Sequence, residues 1–148
     1  MRNRLKKFKA MALTCMDPRF QPLVYEYLKK RKLIGKYSSF TIAGGAIGVT
    51  HKKFKRWHSV FVENLATSIK IHKINKLIVI NHKDCGAAKI AEPKQSKVDE
   101  VKIHKNAFEK LKAVLKRKFP KIKLEFKLIS LSKKIQSLNS LLFLSLFN

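Results

Sequence analysis

The chain has 148 residues, in which 34 Lys and Arg stand against 9 Asp and Glu, a formal net charge of +25. That length suits one domain able to bury about two thirds of the surface its unfolded chain exposes. An apolar content of 45% excludes a disordered polybasic tail. The charge invites a nucleic-acid or anionic-membrane partner, but Lys is spread along the whole chain rather than held in one block.

Residues 1–9 form a basic N-terminal extension with Arg2, Arg4, Lys6, Lys7 and Lys9. The apolar run after it, Ala10 to Leu13, is too short for a secretory signal, so the cytoplasm is the expected location. Ala10–Thr14 reads as a buried strand. Pro22 stands at the start of a helix that buries Leu23, Val24, Tyr27 and Leu28. Lys29 to Lys32 suit its C-terminal dipole, and Gly35 marks the exit. Tyr37 to Ala43 reads as a second strand, stopped by Gly44-Gly45. Trp57, Val60, Phe61, Leu65 and Ile69 are spaced for the buried face of a second helix. Lys76 to Ile80 is β-branched and apolar on both faces, as in a parallel strand covered on both sides. Ser96 and Asp99 resemble a capping box before a long helix with Val98, Val101, Phe108, Leu111 and Leu115 inward and Pro120 at its end. Leu124 to Leu131 gives a fourth strand, and residues 139–148 are an apolar tail. The stretch Leu138 to Phe147 is about half the ~20 residues a bilayer span needs. The order βαβαβαβ predicts a single α/β domain over residues 1–148, with a mostly parallel sheet flanked by helices.

Two polar clusters follow directly on two apolar strands: Cys15-Met16-Asp17-Pro18-Arg19 and His82-Lys83-Asp84-Cys85-Gly86. Ligand sites in open α/β sheets form beyond the carboxyl ends of the strands. If the strands ending near Thr14 and Ile80 are neighbours, Cys15, His82 and Cys85 offer two thiolates and an imidazole in one crevice. That set, with a fourth position open, is a catalytic zinc arrangement, and soft thiolates favour zinc over magnesium or calcium. A redox disulfide between Cys15 and Cys85 is the competing reading, but it leaves His82, Asp17 and Arg19 without a role. An Arg19 fork can hold Asp17 ionised, ready to accept a hydrogen bond from a metal-bound water or hydroxide, or to swing in as fourth ligand. Gly44 and Gly45 could bring backbone N–H groups near a substrate oxyanion. Asp84 is expected to face a neighbouring backbone or Lys83. His51, His58, His72 and His104 follow no ligand spacing and are expected at the surface or sheet edges.

Cys15-x-Asp17-x-Arg19 followed by His82-x-x-Cys85-Gly86 resembles the paired motifs of the β-class carbonic anhydrases, and Ala43-Gly44-Gly45 sits where that family has its Gly-rich turn. The motif resemblance spans Ala10 to Ile90, and the remainder follows by element order. It implies reversible hydration of carbon dioxide to bicarbonate and a proton by a zinc-bound hydroxide, with one zinc per chain on Cys15, His82 and Cys85. Asp17 and Arg19 would orient the hydroxide, or Asp17 would close the site by ligating zinc. A homodimer or higher homo-oligomer with the cleft at the interface is implied too. The chain departs from the family in having Thr41-Ile42 where many members have Arg-Asn, in a basic elongation of a loop over Val49 to Trp57, and in a short segment before Cys15. Two other functions compete: action on a related heterocumulene such as carbonyl sulfide or carbon disulfide, and a non-catalytic basic module binding nucleic acid. Against the last stand the absence of a recognised nucleic-acid motif and of a paired aromatic platform, and Trp57 and Phe61 suit a core or interface better.

Overall fold

A computed structural model describes residues 7–94, 96–132 and 135–137. In chain order it contains β1 (Ala10–Thr14), α1 (Gln21–Lys30), β2 (Tyr37–Thr41), α2 (Ala46–Thr50), α3 (His58–His72), β3 (Lys76–His82), α4 (Gly86–Ala91), α5 (Lys97–Lys118), β4 (Lys123–Ile129) and β5 (Ile135–Ser137). The sheet order is β2-β1-β3-β4-β5. The first four strands are parallel, and β5 runs antiparallel on β4. The expected α/β architecture is therefore present.

Alternation along the strands explains the layers. Met11, Leu13, Leu77, Val79, Phe126 and Leu128 point to a core shared with α2, α3 and α5. Their neighbours Ala10, Ala12, Ile78, Ile80 and Ile129 face Phe20 and, on α1, Val24 and Leu28. With both faces covered, the central strands read as continuous apolar runs in the sequence. Strand β2 is added on one side of β1 and β3 on the other, so right-handed crossovers send α1 to one face and the later helices to the opposite face.

Local chemistry sets most boundaries. Pro22 lies in the first turn of α1, Lys29 and Lys30 close its last turn, and Gly35 follows with φ +74°. Helix α5 opens on the expected capping box, Ser96 and Asp99 each bonding the other's backbone N–H.

Several expectations differ from the structure. Strand β2 stops at Thr41 rather than Ala43, because the Gly45 N–H bonds Ile42 O and begins the turn. Strand β3 continues beyond Ile80 to His82, carried by its register with β4 up to Ile129. Val60 is 48% exposed, and the buried residues of α3 are Phe61, Leu65 and Ser68. The stretch expected as an elongated loop is helical: α2 to Thr50, then a 3₁₀ helix over Lys52–Trp57 in which Phe54 stacks on Trp57 at 4.7 Å. Of the N-terminal extension, 1–6 lie outside the described residues, as does the tail 139–148. No helix among the described residues is long and apolar enough to cross a membrane.

Candidate metal site

Strands β1 and β3 are direct neighbours, with Thr14 in register with Ile80. The sheet's connections diverge between them, so the loops leaving both carboxyl ends frame a crevice at the topological switch point. Cys15 follows β1, His82 ends β3, and Cys85 caps α4. All three are buried, and their ligand atoms lie within 4.8 Å of one another. These are the residues that the sequence motifs nominate.

Each donor is aimed by a neighbour. The Gly44 N–H donates to Cys15 Sγ at 3.3 Å, and Gln21 Nε2 donates to Cys15 O at 2.8 Å. His82 Nδ1 lies 2.8 Å from Lys83 O, a contact only a protonated Nδ1 can make, which leaves the Nε2 lone pair free. The Phe20 ring stacks on the imidazole at 3.9 Å.

One observation shows that a metal fits this donor set. His82 Nε2 is buried with no hydrogen-bond partner, although such atoms are normally satisfied. The two sulfurs also compete for protons. A hydrogen bond from Cys85 lowers the Cys15 thiol pKa; burial opposes this, while His82 and the N–H groups of Asp17 and Gly44 support it. Cys85 moves upward, through Cys15 and through burial. Burial also works against charging His82, but the Cys15 sulfur, the Lys83 carbonyl and the Asp17 charge outweigh it and raise its pKa. Two sulfurs and an imidazole nitrogen with no hydrogen-bond partner form a soft donor set suited to zinc.

Asp17 and Arg19 sit at the mouth of this cluster. Asp17 Oδ2 lies 3.9 Å from His82 Nε2. Arg19 grips Asp17 through Nη2 on Oδ2 at 2.7 Å and Nε on Oδ1 at 3.1 Å, and its backbone N–H bonds Oδ1 at 3.0 Å. These contacts hold the Asp17 carboxyl below the usual carboxylate range. Asp84, expected to face a neighbouring backbone or Lys83, meets two other cations instead. Its carboxylate accepts from Arg19 Nη1 and Lys89 Nζ, both at 3.0 Å, and these cations draw its pKa down to about 2.

The glycine turn has a different part from the one expected. The Gly44 N–H is engaged by Cys15 Sγ and the Gly45 N–H by Ile42 O, so neither is free for an oxyanion. Both glycines adopt positive φ, and a Cβ at Gly45 would lie 2.5 Å from Asn81 Oδ1.

Sequence reasoning also missed a buried network behind the cluster. His104, expected at the surface, is 0% exposed. Its Nδ1 pairs with Asn81 Nδ2 at 2.9 Å, and its Nε2 lies 3.6 Å from Glu100 Oε1. Glu100 Oε1 in turn accepts the Cys85 N–H at 2.9 Å. Burial raises the Glu100 pKa, but His104 and the N–H groups of Cys85 and Asp84 more than reverse that, so the carboxylate stays charged. A signal did exist: His104 is three residues after Val101 and four before Phe108, on the apolar stripe of α5.

A family model described as "Putative carbonic anhydrase" matches residues 5–123. An uncharacterized protein of Rickettsia bellii (strain RML369-C) is 25% identical over 122 residues, covering 80% of this chain and 74% of the relative. Among solved structures, the β-carbonic anhydrase CafA of Aspergillus fumigatus superposes with a TM-score of 0.59 at 16% identity, over 91% of this chain and 77% of that one. A tetrameric β-carbonic anhydrase of Sordaria macrospora gives a TM-score of 0.59 at 9% identity, over 90% and 82% of the two chains. With the fold shared and the family model covering most of its length, the chain belongs to the carbonic anhydrase family that this model describes, as a divergent member with the β-class fold.

Proposed function

We propose that the whole chain is one catalytic domain that reversibly hydrates carbon dioxide to bicarbonate and a proton, using one zinc ion per chain. The observation that carries this reading is the convergence of Cys15, His82 and Cys85 to within 4.8 Å beneath the Asp17–Arg19 pair. Cys15, His82 through Nε2, and Cys85 would hold the ion. When bound, zinc supplies a nucleophile near neutral pH by lowering the pKa of water.

The rest of the work falls to the chain's own side chains. The Lys83 carbonyl fixes the His82 ring so that Nε2 faces the site. Phe20 covers one ring face and keeps water from it. Asp17, kept ionised by Arg19, is an acceptor only, so it takes a hydrogen bond from the O–H of the attacking group and turns that oxygen's lone pair toward the substrate. Its Oδ2, 3.9 Å from His82 Nε2, would move in as the fourth ligand in a closed state. A groove of about 680 Å³ between α3 and α5, lined by Val49, Phe61, Leu111 and Val114, lies away from the cluster. A linear triatomic substrate needs no such volume.

Two further elements belong to this reading. A homodimer or larger homo-oligomer is one, supported by the tetrameric β-carbonic anhydrase of Sordaria macrospora that shares this fold. A cytoplasmic home is the second, since two free thiols at a metal site suit a reducing compartment.

Metal analysis of the purified protein, paired with stopped-flow hydration, tests the proposal. One zinc per chain and measurable hydration are expected, both abolished in Cys85→Ser. Protein without stoichiometric zinc, or Cys85→Ser with unchanged metal content, overturns it. Zinc without hydration would redirect the assay to carbonyl sulfide.

A further inference from the structure

The two cysteines are joined by a second route, on the side away from Asp17 and Arg19. It begins at Cys15 Sγ, which accepts the Gly44 N–H. Two residues on, the Ala46 N–H donates to Asn81 Oδ1 at 3.0 Å. Because a backbone N–H can only donate, this contact fixes which end of the Asn81 amide is oxygen. Asn81 Nδ2 therefore donates to His104 Nδ1 at 2.9 Å. An accepting Nδ1 puts the ring hydrogen on Nε2, a buried atom with no hydrogen-bond partner, which faces Glu100 Oε1 at 3.6 Å, an electrostatic contact longer than a hydrogen bond. That oxygen also receives the Cys85 N–H at 2.9 Å. Asn81 and His104 are almost wholly buried, so no water competes for these groups.

We propose that Asn81, His104 and Glu100 are positioning residues that lock the Gly44–Ala46 turn and the Cys85 loop to each other, and so set the spacing of the two sulfurs. The three residues touch neither substrate nor metal. They act through two backbone groups, the N–H of Cys85 itself and that of Ala46, which lies two residues after the Gly44 N–H that Cys15 Sγ accepts. The absence of a side chain at Gly45 is part of the same device: its open Cα lets Asn81 Oδ1 approach the turn, where a Cβ would sit 2.5 Å from that oxygen. Asn81 adjoins His82, so one strand end supplies both an imidazole to the front of the site and the central link at its back. Where ligands are held by outer partners of this kind, removing a partner typically lowers metal affinity by about 10–100-fold.

This inference rests on the zinc reading for its consequence, while the linkage itself can be measured without metal. The first measurement is amide hydrogen exchange by NMR on the metal-free full chain. In His104→Leu, the Cys85 and Ala46 N–H groups are expected to lose protection together. In His104→Asn, which keeps an acceptor near the Nδ1 position, Ala46 is expected to stay protected while Cys85 loosens. The second measurement is zinc affinity by chelator competition. Glu100→Ala and His104→Leu are each expected to bind about 10–100-fold more weakly than the parent, with an unchanged circular dichroism spectrum. If Glu100→Ala fails to fold, His104→Asn serves in its place. In His104→Leu, loss of protection at only one of the Cys85 and Ala46 amides overturns the linkage, and a folded variant with affinity within twofold of the parent overturns its consequence. A parent chain that takes up no zinc defeats the zinc reading alone, and the exchange measurement still decides the linkage.

Discussion

Arg19 reaches two carboxylates at once, Asp17 through Nε and Nη2 and Asp84 through Nη1, with Nη2 also 3.1 Å from Asp84 O. The fork is thus held on both sides, and Asp17 inherits that rigidity. A lysine carries the same charge but has neither the planar fork nor the reach to both partners. Arg19→Lys is expected to keep one zinc per chain and to lower hydration by about 10²-fold, the scale of a misplaced orienting group. Unchanged turnover would remove the pair from the mechanism; loss of zinc would make it a structural clamp. At this scale the sequence was informative where chemistry is local. Cys15 stands immediately after β1, His82 ends β3 with Cys85 three residues on, and Asp17 and Arg19 are two residues apart. The Asn81–His104–Glu100 network was hidden because its members lie on β3 and α5, and only tertiary packing brings them together. Asp84 was misjudged for a related reason: its φ of +57° turns the loop so that the carboxylate meets Arg19 rather than Lys83.

Between elements, Glu125 on β4 joins the end of α1 to the sheet. It accepts from Arg31 Nη1 at 2.8 Å and Nη2 at 3.1 Å, and pairs with Lys76 Nζ of β3 at 2.7 Å. Arg31 foremost, then Lys76, lowers the Glu125 pKa to about 2 against the opposing effect of burial. A depressed carboxylate contributes stability above its unfolded pKa of about 4.3, and the contribution fades as pH falls through the folded value. Glu125→Gln is therefore expected to cost about 1 kcal/mol near pH 7, allowing for partial solvent screening, and almost nothing below about pH 2. Urea unfolding of both proteins at the two pH values measures this, and an equal gap at both would refute the assignment. The long elements were legible because alternation and helical spacing persist over enough residues to be seen. Helices α2 and α4, with five and six residues, are too short to display a period, and β5 has three. Val60 was misplaced because α3 is half-covered, so an apolar residue next to the stripe remains in solvent.

For the molecule as a whole, the alternating order of strands and helices announces the layers, but not which strands are neighbours. The meeting of the two motifs depended on β1 lying beside β3, which the register of Thr14 with Ile80 supplies. The net charge of +25 is a separate property, spread over Lys on the helices and loops. Its expected signature is a weak, sequence-independent affinity for DNA that falls steeply with salt and is the same in His82→Ala as in the parent. Loss of that affinity together with the imidazole would join surface and site in a single function. The central place of β3, between β1 and β4, has a temporal side as well. Cys15 leaves the ribosome long before His82 and Cys85, and its strand cannot gain its second neighbour until the intervening α3 has been made and β3 docks. Until then the early thiol has no partners for a metal. Zinc bound at this cluster would therefore mark chains in which β1 and β3 have paired, and a chain halted before β3 would remain metal-free.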